Sequence, residues 1–201
     1  MSTRWILRLE VVLSVALTLS VLGTVAALIG NFVIAFVGNA HGIGIPLQVF
    51  DVPSTGMAAG GAVVEDVSAE VTVRPQGASP AAGLLYLLMW APGTVTGLLA
   101  LFTVVRALGR ARSGDRALFS TVTAGHLRRL GWILIAGSIV SAVLDSAAQV
   151  MLASMLLTES RPFYPPSGEV VGGVVAGLVA LGVSEIVRRG LVLLEEVEAT
   201  I

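Results

Sequence analysis

The sequence predicts an all-α membrane protein, a bundle of four transmembrane helices with a small β-hairpin-like segment between the first and second. Three observations carry that reading. Of 201 residues, 55% are hydrophobic and only 12% are charged, with a mean hydropathy of +0.91, whereas ordinary soluble domains are roughly 25% charged. Four apolar stretches, residues 11–37, 82–105, 130–157 and 170–187, each reach the helical length needed to cross a hydrocarbon core, about 20 residues. The arginines also fall unequally on the two sides that four crossings would create.

The first span follows Arg4 and Arg8, and its Thr24-Val25-Ala26 resembles a small-residue cleavage site. Its apolar run continues well beyond the roughly 7–15 residues of a secretory leader, so it is expected to be a retained signal anchor. Orientation follows from the positive residues, which stay on the cytoplasmic side in short loops. Arg4 and Arg8 precede span one; Arg106, Arg110, Arg112, Arg116, Arg128 and Arg129 lie between spans two and three; Arg188 and Arg189 end span four. Only Arg74 and Arg161 fall on the other side, a bias of ten against two. Both termini are therefore expected in the cytoplasm. Trp5, Tyr86 and Trp132 stand near the expected interfaces, where amphipathic rings are favoured. Every basic residue is arginine, which reads as a GC-rich bacterial coding bias and sets the expected location as the bacterial inner membrane. The net charge of −1 provides no field that would draw the chain to nucleic acid, so no direct nucleic-acid partner is expected.

Residues 38–80 are rich in glycine, proline, valine and acidic residues and form the expected extracytoplasmic segment. Within it, residues 43–50 and 67–73 alternate with the period of two that marks half-buried strands. The glycine-rich stretch 54–61 between them reads as a turn or flexible loop. An isolated hairpin is marginal in water, so this one should lean on the membrane domain or on a partner. The second outer connection, 158–169, contains Arg161-Pro162-Phe163-Tyr164-Pro165-Pro166 and should be short and stiff. On the inner side, the loop 106–129 is the most polar segment, and Ser120 can cap a helix that runs through His126 into span three. The tail 190–201 continues span four and carries Glu195 and Glu196. With Arg110, Arg112, Arg116, Arg128 and Arg129 these two acids make a candidate cytoplasmic interaction surface. A basic loop of this kind also serves simply to set topology near anionic headgroups.

Within the bilayer, span three carries Gly137, Ser141, Asp145, Gln149 and Ala153 at a spacing of four, one stripe on one helix face. That face should look inward, because a carboxylate at mid-span costs at least about 2.5–3.5 kcal/mol on insertion scales. Thr24, Trp90 with Thr94, and residues 172–176 come to a similar depth, so Asp145, Gln149, Ser141 and Thr94 form the candidate intramembrane polar site. It reads either as a proton or cation relay or as hydrogen-bonded packing that fixes helix register. Pro92-Gly93 is a helix-breaking pair inside span two and should kink it. Span four has Gly172, Ala176, Ala180 and Ser184 on one stripe, flanked by Gly173 and Gly177, suited to close packing against span three or a second subunit. Glu185, one turn from Arg188 and Arg189, is expected to pair with them.

Enzyme signatures are absent: the sequence has no nucleophile elbow, P-loop, dinucleotide fingerprint or zinc-binding helix. Cysteine is missing, and the two histidines, His41 and His126, fall on opposite sides of the membrane as expected solvated residues. No metal site, cofactor or catalytic residue is expected.

The residues Leu118-Phe119-Ser120, Leu127-Arg128-Arg129-Leu130-Gly131-Trp132, Ser184-Glu185-Ile186-Val187-Arg188-Arg189-Gly190 and Leu194-Glu195-Glu196 resemble the bacterial membrane family called domain of unknown function 2975. The resemblance extends over essentially the whole chain, including the strand-like segment. In that family the serine commonly follows Pro-Phe and precedes Glu-Asn; here Leu118 and Thr121-Val122-Thr123 take those places. The family has no established activity. Its members are often encoded beside small helix-turn-helix regulators, so the resemblance implies such a partner at the inner face.

Three roles follow as expectations. The first is a non-enzymatic membrane protein that senses or tethers for a cytoplasmic regulator. The second is a small transporter or channel subunit that uses Asp145. The third is a structural accessory subunit of a membrane complex or homo-oligomer. The lipid bilayer is a partner in each.

Overall fold

A computed structural model describes residues 3–37, 44–49, 69–111, 121–157 and 168–198. The elements run α1 (Thr3–Phe36), β1 (Ile45–Val49), β2 (Ala69–Val73), α2 (Pro80–Ala111), α3 (Thr121–Leu156) and α4 (Gly168–Glu198). All four helices are long and apolar enough to cross a membrane, over Leu7–Val37, Pro80–Gly109, Val122–Leu156 and Val170–Val192. The fold class is the expected one, four membrane-length helices with a two-stranded sheet between the first and second. Large apolar side chains stand exposed along these helices, among them Leu22, Ile29, Phe102, Val143 and Ile186. In water such continuous apolar surface would drive association; in a bilayer it faces lipid tails of the same polarity.

α2 continues past the expected span end at 105 to Ala111, because alanine, leucine and arginine are good helix formers whether or not lipid surrounds them. α3 begins at Thr121 and runs through His126, and α4 continues through the start of the tail to Glu198, both in line with the sequence reading. Ser120, the stretch 54–61 and residues 158–167 lie outside the described residues. α2 runs on through Pro92. Its first turn is set by Ser79-Pro80. The Ser79 hydroxyl accepts from the amide of Ala82 at 3.4 Å and its carbonyl from that of Gly83 at 3.0 Å. Proline at the first helical position needs no donor.

The chain divides into two compact units. One, the hairpin unit, comprises Val25–Pro92 and Ser141–Pro166; the other, the arginine unit, comprises Met1–Thr24, Gly93–Val140 and Ser167–Ile201.

In the hairpin unit β1 and β2 pair antiparallel with Ile45 opposite Val73, Leu47 opposite Val71 and Val49 opposite Ala69. The period-two pattern does its expected work: Ile45 and Leu47 are 0% and 1% exposed. They close an apolar core with Ile34 of α1, Ala82 of α2 and Leu152 of α3, and Val73, Leu85, Tyr86, Met89, Leu156 and Leu157 pack around it. That seat supplies the burial a lone hairpin lacks. α1 and α2 approach closely at Gly83, where a Cβ would stand 2.5 Å from Ala35 Cβ and 3.0 Å from Ala35 Cα.

In the arginine unit the contacts rest on small residues. At the α3–α4 crossing a Cβ on Gly131 would lie 2.8 Å from the Gly177 carbonyl oxygen, and one on Gly177 would lie 2.8 Å from the Gly131 carbonyl oxygen. The two backbones therefore touch reciprocally. Gly173 abuts Ser138, and Gly137 of α3 abuts Thr96 of α2.

Candidate functional site

Each unit holds a set of polar side chains within helices that are otherwise apolar. In the hairpin unit the set is the α3 stripe. Ser141 and Asp145 are half-buried, and Gln149 and Ala153 are buried, whereas Val143, Val150 and Met151 on the other faces are exposed. The stripe thus faces the protein side, as its spacing predicts. The Gln149 amide donates to Asp145 Oδ1 at 3.3 Å across one helical turn. This bond orients the carboxylate and satisfies one amide hydrogen of a buried side chain.

The same unit contains a residue that sequence reasoning passed over. Asn31 of α1 is buried at 9% exposure, and its Oδ1 is enclosed without a hydrogen-bond partner. Asn31 lies one turn from Ile34, and Gln149 lies one turn from Leu152, both members of the same apolar core. Each therefore flanks that core with a buried carboxamide. The signal was available as the lone carboxamide in span one. A buried unsatisfied oxygen costs about 1–3 kcal/mol, so its presence calls for a reason. Thr94, on α2, is half-buried.

In the arginine unit two of the four residues of the expected α4 stripe, Gly172 and Ala176, do not pack on α3. Gly172 and Ala176 are exposed, with nothing within 4 Å of a Cβ built on Gly172. Gly173, Gly177, Ala180 and Ser184 make the packed face instead. Small residues occupy both neighbouring stripes, and the choice is made by the partner, since only the second set meets Gly131, Ile135 and Ser138 of α3. Ala180 and Ser184 keep their expected packing role, and the Ser184 hydroxyl donates to the Ala124 carbonyl at 2.8 Å.

Near that bond the α3 and α4 surfaces border an open cavity of about 450 Å³ lined by Arg128, Trp132, Leu181, Ser184, Glu185 and Arg188. Glu185 takes two bonds from Arg188, Nε to Oε2 and Nη2 to Oε1, each 2.9 Å, and a third from Arg189 Nε at 2.9 Å. The expected pairing of Glu185 with both arginines is thus present, with all three side chains solvent-facing. Arg128 and Arg129 are exposed on α3 and make no ion pair among the described residues. Of the other members of the candidate inner surface, Arg112 and Arg116 lie outside the described residues. The backbones of Arg110, Glu195 and Glu196 lie on α2 and α4, and their side chains fall outside the description.

A second, mostly apolar cavity of about 210 Å³ lies between Thr103, Val104, Ala107 and Leu108 of α2 and Thr123, His126, Leu127 and Leu130 of α3. His126, expected as a solvated residue, is instead half-buried on α3, with Nδ1 2.7 Å from the Val122 carbonyl. That carbonyl can only accept, so Nδ1 carries the proton. Among the described residues no group of three histidine, aspartate or glutamate side chains stands together as a metal-binding set.

No protein-family model matches the chain, and no curated protein or solved structure does so either.

Proposed function

We propose that the chain is a multi-pass protein of the bacterial inner membrane, with its arginine-rich ends in the cytoplasm, and that it works without catalysis by docking a cytoplasmic partner. One observation carries this reading most directly. α4 continues as a helix to Glu198, six residues beyond the end of its apolar stretch at Val192. The extension carries Glu195 and Glu196, and the sequence between α2 and α3 carries Arg112 and Arg116, charge of the opposite sign. Acidic and basic segments of this kind suit recognition of a protein with mixed charge, and the family resemblance points to a helix-turn-helix regulator as that protein.

Crosslinking in native membranes followed by affinity recovery in mild detergent tests this. A soluble protein recovered with the full chain, and lost after Glu195→Gln with Glu196→Gln, is the expected result. Recovery of no soluble protein, or of the same one from the double variant, would overturn it. Orientation is checked separately. Because cysteine is absent, single cysteines at Ser113 and Ser54 should react with a membrane-impermeant thiol reagent from opposite sides.

A second reading rests on the hairpin unit. A carboxylate held by a buried glutamine, in a unit that also holds an enclosed carboxamide oxygen, supplies the polar groups of a proton or cation site. In liposomes, a proton-coupled flux abolished by Asp145→Asn supports this reading. An unchanged flux, or none in either form, assigns Asp145 to packing.

A further inference from the structure

We infer that the cavity between α3 and α4 binds the phosphodiester headgroup of an anionic glycerophospholipid. The site stands on its own residues and does not depend on a docked protein.

The first argument is position. Arg128 and Trp132 lie one turn apart near the start of the apolar stretch Val122–Leu156, and Arg188 lies near the end of the stretch Val170–Val192. The cavity is therefore level with the ends of two apolar stretches, where headgroups lie. Trp132 is 56% exposed there, as expected of an interfacial indole.

The second argument is charge. Two guanidinium groups, those of Arg128 and Arg188, line the site with one carboxylate, Glu185, which Arg189 also holds from outside the lining. A guanidinium has five N–H groups. Arg188 commits two of them to Glu185, one on Nε and one on Nη2, which leaves three. Arg128 commits none among the described residues. Glu185 takes three N–H bonds in all, so it steadies Arg188 and Arg189 without cancelling the local positive charge. Its carboxylate also bars a second acid of the same kind, so the free donors suit one monoanion.

The third argument is shape. Planar guanidinium forks match the paired oxygens of a phosphate, which a point charge does not. The Ser184 hydroxyl already donates to Ala124, so it offers the ligand only an acceptor, suited to a glycerol hydroxyl. Leu181 gives an apolar wall. A volume of about 450 Å³ exceeds what a bare phosphate needs and leaves room for the glycerol on either side of it.

The test uses the full chain in detergent and follows retained lipid by native mass spectrometry, with phosphatidylglycerol against phosphatidylcholine. Arg128 and Arg129 are adjacent, exposed and equally charged, but only Arg128 lines the cavity. Arg128→Gln should weaken phosphatidylglycerol retention about tenfold, and Arg129→Gln by less than about twofold. Arg128→Lys, which keeps the charge and loses the fork, should fall between them and covers the case in which the glutamine variant fails to fold. Equal losses in the 128 and 129 variants, or no loss in either, would overturn the site in favour of diffuse charge. Deacylated glycerophosphoglycerol distinguishes the source of the phosphate. Failure to displace the lipid at equal concentration is expected, and full displacement would overturn the assignment to a lipid.

Discussion

The hairpin unit and the arginine unit share three of the four helices, yet they close in different ways. The hairpin unit shuts large side chains away: Ile45, Leu47 and Leu152 are the largest fully buried residues described, and all three belong to it. The arginine unit brings backbones together at glycine and leaves its charged groups facing outward. The difference follows from the two solvents. A strand pair exposed to water gains from the hydrophobic effect when it covers the helix ends. Helices surrounded by lipid gain nothing by trading one apolar neighbour for another, so they associate through close contact of small residues.

If that contrast is right, the two units should respond to opposite kinds of substitution. The largest effect is expected from Leu152→Ala, which opens a void in the hairpin unit and should cost about 2–5 kcal/mol. Thermal unfolding in detergent would show it, and a loss below about 1 kcal/mol would mean the core is not closed as described. Next comes Gly177→Ala, where the added methyl meets the Gly131 carbonyl and should cost about 1–3 kcal/mol. Gly172→Ala, one stripe away in open space, should be neutral or stabilise by up to about 1 kcal/mol. A cost at Gly172 with none at Gly177 would return the packing face to the stripe first expected.

Asn31→Leu removes an enclosed, unsatisfied oxygen and should stabilise the hairpin unit by about 1 kcal/mol. A variant that is more stable but has lost a cellular function would mark Asn31 as a residue kept for use. The smallest effect is expected from Glu185→Gln. Its pairs with Arg188 and Arg189 are solvent-facing, so the unfolding midpoint should stay within error.

Much of this architecture could be read from the sequence, because long apolar runs and period-two alternation are signals carried by many residues at once. The four helices, the two strands expected over 43–50 and 67–73 and found at 45–49 and 69–73, and the inward α3 stripe all belong to that kind. What could not be read depends on single partners. The choice between Gly172 with Ala176 and Gly173 with Gly177 is a rotation of one residue, about 100°, and only the position of Gly131 on another helix decides it. His126 gave no sign of its half-buried setting, because that depends on the α2 side chains across the second cavity. The cavity between α3 and α4 was beyond reach for the same reason. Its arginines were visible as topology signals, but their convergence with Trp132 and Leu181 needs two helices at once.

The seat of β1 also has a consequence for leakage. Lifting the hairpin from the helix ends would return Ile45 and Leu47 to water, at about 1.5–3 kcal/mol for each side chain. By that estimate the uncovered form would be present in roughly one molecule in a few hundred to one in a few tens of thousands. Any passage that required the hairpin to lift would draw on this rare form.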